Sequence, residues 1–155
     1  MKILLTTLNA KYIHKNLALR WLYVSSPKKE DIVLKEYTIK EDVDLIVSDI
    51  VSMQVDLVAF STYIWNIENT MQIVKKLKEQ TNINIVLGGP EVTFESYHLL
   101  EEGVDALSLG EGEIALWKYV EMLSKKEEYE IEGIYTKKYP NTHVCKVDLK
   151  VNETY

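Results

Sequence analysis

Val55-Asp-Leu-Val-Ala-Phe-Ser-Thr-Tyr-Ile-Trp-Asn66 changes character halfway along. Its first half is a short apolar run with branched and aromatic residues, the pattern of a strand buried on both faces of a parallel sheet. Its second half gathers Ser61, Thr62, Tyr63 and Trp65 beyond the strand's carboxyl end, where open α/β sheets place their ligands. The stretch therefore predicts both the architecture and the place of the site.

The flanking sequence repeats the same alternation. Lys2 to Thr7 reads as a first strand, and Leu17, Trp21 and Val24 recur at i, i+4 and i+7, predicting a helix with these three on its core face. Asp31 to Thr38 mixes Val33 and Tyr37 with Lys35 and Glu36, which suits a strand at a sheet edge. Val43, Ile46, Val47, Ile50 and Val51 follow helical spacing behind Glu41 and Asp42. After the strand Asp56 to Ser61, a long helix is expected from a cap at Asn66 through Ile67, Met71, Val74 and Leu77 to Lys78. Ile83 to Leu87 is the fourth strand and ends in Gly88-Gly89-Pro90-Glu91; a short helix around Ser96 to Glu101 closes at Gly103. Val104 to Leu109 is the fifth, ending in Gly110-Glu111-Gly112-Glu113 before a helix marked by Leu116, Val120 and Leu123.

Five such alternations predict an α/β, doubly wound, flavodoxin-like fold: a five-stranded parallel sheet of order 2-1-3-4-5 with helices on both faces. Glu130 to Lys137 and His143 to Leu149, separated by Tyr139, Pro140 and Asn141, read as a C-terminal β-hairpin. The expected division is a Rossmann-like domain over residues 1–127 and a hairpin or linker over 128–155.

Composition excludes several function classes. The 155 residues carry a net charge of −6, which gives no electrostatic reason to bind nucleic acid or an anionic membrane. No run of about 18 apolar residues could span a bilayer, and the amino terminus lacks the apolar core of a signal peptide. Cys145 is the single cysteine, so an intrachain disulfide is impossible and a reducing cytoplasm is the expected compartment. A Walker loop, a Gly-x-Gly-x-x-Gly fingerprint after the first strand and the acidic set of a phosphoacceptor domain are all missing.

With the first and third strands adjacent, the loops Asn9 to Asn16 and Ser61 to Asn66 converge at one edge, and the glycine turns at 88–89 and 110–112 line the same rim. Taken singly, each glycine is explained by a tight turn. Together they permit close backbone approach, which suits an extended or bulky cofactor. Trp21 and Trp117 fall at helical spacing and read as core, whereas Trp65 lies beyond a strand end and reads as a ligand contact. His98 and His143 have no metal partner by spacing.

The ordered pieces resemble the cobalamin-binding domain that precedes the radical S-adenosylmethionine (SAM) barrel in cobalamin-dependent radical enzymes. They are Leu4-Leu5-Thr6-Thr7-Leu8-Asn9 through His14-Lys15-Asn16-Leu17-Ala18, Phe60-Ser61-Thr62-Tyr63-Ile64-Trp65-Asn66, Gly88-Gly89-Pro90-Glu91, and Gly103-Val104-Asp105 through Gly110-Glu111-Gly112-Glu113. The resemblance implies a cobalamin whose corrin lies over the carboxyl edge of the sheet and whose nucleotide tail enters a cleft beside the central strands. On that picture Ser61 and Thr62 bond to the tail, Gly88 and Gly89 give it room, Tyr63, Ile64 and Trp65 lie under the corrin, and Gly110, Glu111 and Gly112 close the far wall. Asn9, His14, Asn66, Pro90 and Glu91 complete the implied cofactor-binding set.

Many such domains supply a cobalt ligand from Asp-x-His-x-x-Gly. Here the frame Tyr12-Ile13-His14-Lys15-Asn16-Leu17 lacks both the Asp and the Gly, so a helix-entry or tail-contacting role is expected of His14 instead. A 4Fe-4S cluster that cleaves SAM needs three cysteines, so both cofactors are expected only in a further, C-terminal radical SAM domain, the implied partner for methyl transfer or rearrangement. The alternative is a flavodoxin-like interaction or regulatory domain whose degenerate site holds no cobalamin.

Overall fold

A computed structural model describes residues 1–10, 16–28, 31–110 and 112–140. Its strand β1 (Ile3–Asn9), whose seven residues are all buried, is flanked by β2 (Ile32–Thr38) and β3 (Leu57–Ser61) in parallel register. Ile3, Leu4 and Leu5 meet Leu57, Val58 and Ala59 across the β1–β3 pair. β4 (Asn84–Gly88) and β5 (Ala106–Ser108) extend the sheet beyond β3, giving the order β2-β1-β3-β4-β5-β6. The predicted parallel core and the edge position of β2 are thus found.

The sixth strand differs from the sequence expectation. Of Glu130 to Lys137 only β6 (Ile134–Tyr135) is extended, and it pairs antiparallel with β5 through Leu107↔Tyr135 and Ser108↔Ile134. Gly133, at φ 90°, turns the chain onto the sheet edge, and its carbonyl accepts the Leu109 amide at 2.8 Å. Tyr135 is then buried and stacks on Tyr97 with ring centres 5.0 Å apart. The other arm of the expected hairpin, with His143 and Cys145, lies outside the described residues.

Helices cover both faces. α2 (Val43–Ser52) and α3 (Ile67–Gln80) pack Ile46, Val47, Ile50, Ile73, Val74 and Leu77 onto one side, each contributing about 1.5–3 kcal/mol of burial. Asp42 caps α2, accepting the Asp44 amide at 2.7 Å and the Leu45 amide at 3.3 Å. Lys78, in the last turn of α3, donates to the Ile83 carbonyl at 2.9 Å and to Asp105 at 2.5 Å, tying the helix end to the entries of β4 and β5. A 3-10 helix (Phe94–Glu102) follows β4 and ends at Gly103 with φ 102°.

α1 (Leu17–Ser25) and α4 (Gly112–Ser124) cover the other side with Leu19, Ala115, Leu116, Trp117 and Tyr119. The expected core face of α1 is corrected here: Leu17, Trp21 and Val24 are 73%, 62% and 59% exposed, while Leu19 is fully buried. Leu19, Leu22 and Tyr23 form the inward stripe because α1 is apolar around most of its circumference, so two stripes fit the helical period. Trp117 is core as expected, its indole N–H shared between the Leu22 carbonyl at 3.1 Å and Ser25 Oγ at 3.0 Å.

Candidate functional site

The carboxyl ends of β1, β3, β4 and β5 carry a row of small side chains on the α1/α4 face. Register places Thr7 beside Ser61 and Ser61 beside Gly88. Because Val86 pairs with Ala106, the next step on that face sets Gly88 beside Ser108; a Cβ at Gly88 would lie 3.6 Å from Ser108 Cβ. Small residues here leave α1 and α4 nothing to pack on. The result is a pocket of about 170 Å³ between the sheet edge and Ala18, Leu19, Leu22 and Leu116, floored by Ala59, Ser61, Val86, Gly88 and Ser108 and rimmed by Gly89 and Gly110.

A second hollow of about 440 Å³ lies at the β1 side of the same edge, lined by Asn9, Ala10, Asn16, Leu17, Ala18, Tyr63 and Trp65. Ala18 borders both. Tyr63 and Trp65 stack nearly parallel, 4.5 Å between centres, and the Trp65 indole N–H donates to the Leu8 carbonyl at 3.3 Å. Asn16 caps α1 by accepting the Leu19 amide at 3.0 Å and donates to the Tyr63 hydroxyl at 2.9 Å. Glu36 holds both sides of that loop, accepting from Asn9 Nδ2 at 2.9 Å and from the Asn16 amide at 2.8 Å. Ile64 and Trp65 project outward, 80% and 49% exposed.

The predicted site residues divide by what their polar atoms already do. Ser61, Gly88, Gly89 and Gly110 meet at the small pocket, and Asn9, Tyr63 and Trp65 at the larger hollow. Thr62 and Asn66 are fully buried. Thr62 donates through Oγ1 at 2.6 Å and through its amide at 2.8 Å to the Gly88 carbonyl. The Asn66 side chain does not cap α3. Its Oδ1 instead accepts the Tyr63 amide at 2.8 Å, while Nδ2 reaches the Leu8 carbonyl at 3.0 Å and Thr7 Oγ1 at 3.3 Å. Both side chains are hydrogen-bonded within the loop they build.

Gly89 is a glycine for the fold's sake. It has φ +95°, and a Cβ there would sit 2.5 Å from the Thr62 carbonyl oxygen and 2.7 Å from its nitrogen. Gly88 is different, because a methyl there makes only ordinary contact with Ser108. Pro90 is exposed and Glu91 half-buried on the turn beyond, and Gly112 opens α4. His14 and Glu111 lie outside the described residues.

Ser108 was not among the residues singled out from sequence. It is 8% exposed, lines the small pocket, and its hydroxyl has no hydrogen-bond partner among the described residues. The signal that could have found it is the alternation Ala106-Leu107-Ser108, which repeats Ala59-Phe60-Ser61 two strands away. Among the described residues no group of three or more His, Cys, Asp or Glu is placed to hold a metal ion, and no helix is long and apolar enough to cross a membrane.

A family model described as the B12 binding domain matches residues 3–119. The cobalamin-dependent radical SAM methyltransferase TokK of Streptomyces tokunonensis is 40% identical over 63 residues, 39% of this chain and 9% of TokK. The fold is similar to that of the apo form of the cobalamin-dependent S-adenosylmethionine radical enzyme OxsB. The TM-score is 0.68 at 18% identity, over 92% of this chain and 22% of that one. A cobalamin-binding protein from Desulfitobacterium hafniense is also similar, with a TM-score of 0.55 at 16% identity, over 80% of this chain and 57% of the other. The chain thus spans only a small part of the length of the two radical enzymes.

Proposed function

The chain belongs to the B12-binding domain family, and from that premise we propose that it holds cobalamin at the carboxyl edge of its sheet for chemistry performed by a radical SAM domain. The observation that carries this reading is the small pocket beneath α1 and α4, with the buried Ser108 hydroxyl, which has no partner among the described residues, in its floor. A buried hydroxyl is ordinarily hydrogen-bonded, so one without a partner among the described residues that faces a pocket supports a ligand atom there. About 170 Å³ is too little for a corrin and enough for the flat base that ends its nucleotide tail.

The residues present fit the two parts of the cofactor separately. Ser61 and Ser108 offer hydroxyls to the tail, Gly88 leaves it space, and Gly110 forms the rim. Above the edge, the stacked Tyr63 and Trp65 and the exposed Ile64 and Leu17 offer apolar surface to the macrocycle. When bound, cobalamin supplies organocobalt chemistry that no side chain here provides. The domain's own work is to bind, orient and shield; cleavage of SAM at a 4Fe-4S cluster and methyl transfer or rearrangement belong to the partner domain.

Incubating the chain with hydroxocobalamin and passing it through a desalting column tests the reading. A stoichiometric coloured complex with a shifted visible spectrum is expected. Complete loss of colour would return the chain to the alternative of an interaction module without cobalamin. Gly88→Val, which fills the pocket without backbone strain, should weaken retention while leaving the fold intact.

A further inference from the structure

We infer that Glu36, on the edge strand β2, is a positioning residue for the cofactor: through Asn16 it fixes the Tyr63–Trp65 stack against which the corrin is held, an inference that rests on the cobalamin reading above. Leu34 packs on the α1/α4 side of the sheet, and Glu36, two residues on, shares that face. Its side chain is only 15% exposed. One oxygen, Oε1, accepts from Asn9 Nδ2 at 2.9 Å and from the Asn16 amide at 2.8 Å, while Oε2 lies 3.6 Å from the Arg20 guanidinium on α1. A single carboxylate thus joins the ends of β1 and β2 to the start of α1.

Asn16 carries the constraint onward. With its backbone held by Glu36, its Oδ1 caps α1 and its Nδ2 donates to the Tyr63 hydroxyl at 2.9 Å. Tyr63 lies nearly parallel to Trp65, and Trp65 is tied in turn to the Leu8 carbonyl. Hydrogen bonds to an ionised acceptor are about twice as strong as neutral ones, and a ring surface already in place spares the ligand the cost of ordering it. The Arg20 contact is a half-exposed ion pair, which contributes little by itself. The two N–H bonds are what a carboxylate at this position adds.

Equilibrium titrations with cobalamin and with cobinamide, which has the corrin but no nucleotide tail, test this. Glu36→Ala should weaken both ligands by the same factor, about five- to tenfold, because the stack meets the corrin that they share. Glu36→Gln, whose amide oxygen still accepts, should cost about threefold. In a Tyr63→Phe background, where the Asn16 side chain has lost the hydroxyl it holds, Glu36→Ala should change affinity by less than about twofold. A merely structural role would lower the melting temperature in both backgrounds and leave no such coupling in affinity. Unchanged affinity in Glu36→Ala, a loss confined to cobalamin, or a full loss that persists in the Tyr63→Phe background overturns the inference. So does an equal loss in Arg20→Ala, which would assign the effect to the ion pair. If Glu36→Ala does not fold, the same comparisons on Glu36→Gln decide, and wild-type affinity in that variant overturns the inference. A wild-type chain that binds cobalamin and not cobinamide overturns it too, since the stack then holds no corrin, and leaves cobalamin binding standing. A chain that binds neither removes the cobalamin reading and the inference with it.

Discussion

Adjacent glycines at the end of β4 perform different tasks, and single substitutions should separate them. Gly89→Ala places a methyl 2.5 Å from the Thr62 carbonyl oxygen at a φ of +95°, so it should destabilise the chain by about 1–3 kcal/mol and lower the melting temperature. Gly88→Ala meets only Ser108 at 3.6 Å; its unfolding free energy should stay near wild type while cobalamin affinity falls. Measuring unfolding and cobalamin titration on both variants decides the matter, and equal melting temperatures would contradict the assignment. Asn66 is a second test at this scale. Its side chain joins the ends of β1 and β3 from a fully buried position, so Asn66→Ala takes the acceptor from the Tyr63 amide and leaves the Leu8 carbonyl only its longer bond from Trp65. A loss of about 2 kcal/mol or more is expected in urea unfolding. The sequence marks Asn66 and Thr62 as polar groups at a strand end, which is the property that ligand contacts and loop-building residues share. Only the partner atoms tell them apart.

Among the elements, α1 is where periodicity pointed to the wrong face. Leu17, Trp21 and Val24 satisfy the helical spacing, yet the buried position is Leu19. A stripe of i, i+4, i+7 is informative when the other face is polar, and here Leu19, Leu22 and Tyr23 compete with it. Leu19→Ala should therefore cost about 2–5 kcal/mol, whereas Trp21→Gln should change stability by no more than about 0.5 kcal/mol. The reverse ranking in thermal unfolding would restore the sequence-based face. α3 was legible because it has one apolar stripe and a polar remainder; in α2 the expected stripe holds the buried Ile46, Val47 and Ile50, although Leu45 outside it is apolar and exposed. The union of β2 with α2 rests partly on Asp49, which accepts from Lys35 at 2.5 Å and from the Tyr37 hydroxyl at 2.6 Å. The Lys35 and Tyr37 hydrogen bonds hold the Asp49 carboxyl below its usual range; burial, with Asp49 beside it, pushes the Tyr37 hydroxyl up. A carboxyl lowered in the folded state contributes its stability above the ordinary carboxylate range and loses it as pH falls through the folded value. Asp49→Asn should accordingly be less stable than wild type at neutral pH, and the gap should close in acid. Urea midpoints at pH 7 and pH 3 check this; the gap should narrow between them, and one of equal size at both would remove the carboxylate from the account.

For the molecule as a whole, the parallel order from β2 to β5 was readable because chain connectivity, buried runs and turn glycines all pointed to one topology. Glu130 to Lys137 was read as a strand, but the pairing of its two extended residues, β6, with β5 was not legible, since it depends on Gly133 and on Tyr97, far away in sequence. The pocket has the same non-local origin: its walls come from β3, β4, β5, α1 and α4, so no single segment contains it. A site assembled from the whole domain exists only in the folded state, and a ligand that binds it adds its binding energy to folding stability. At free cobalamin of 100 times the dissociation constant this amounts to about 2.7 kcal/mol, or a rise in melting temperature of roughly 5–10 °C for a domain of this size. The increase should scale with the logarithm of cobalamin concentration, and it should shrink for Ser108→Ala at the same concentration because the ratio of ligand to dissociation constant is smaller. A cobalamin complex that forms on the column yet leaves the melting temperature unmoved would place the cofactor on a surface that persists in the unfolded chain, and not in the pocket.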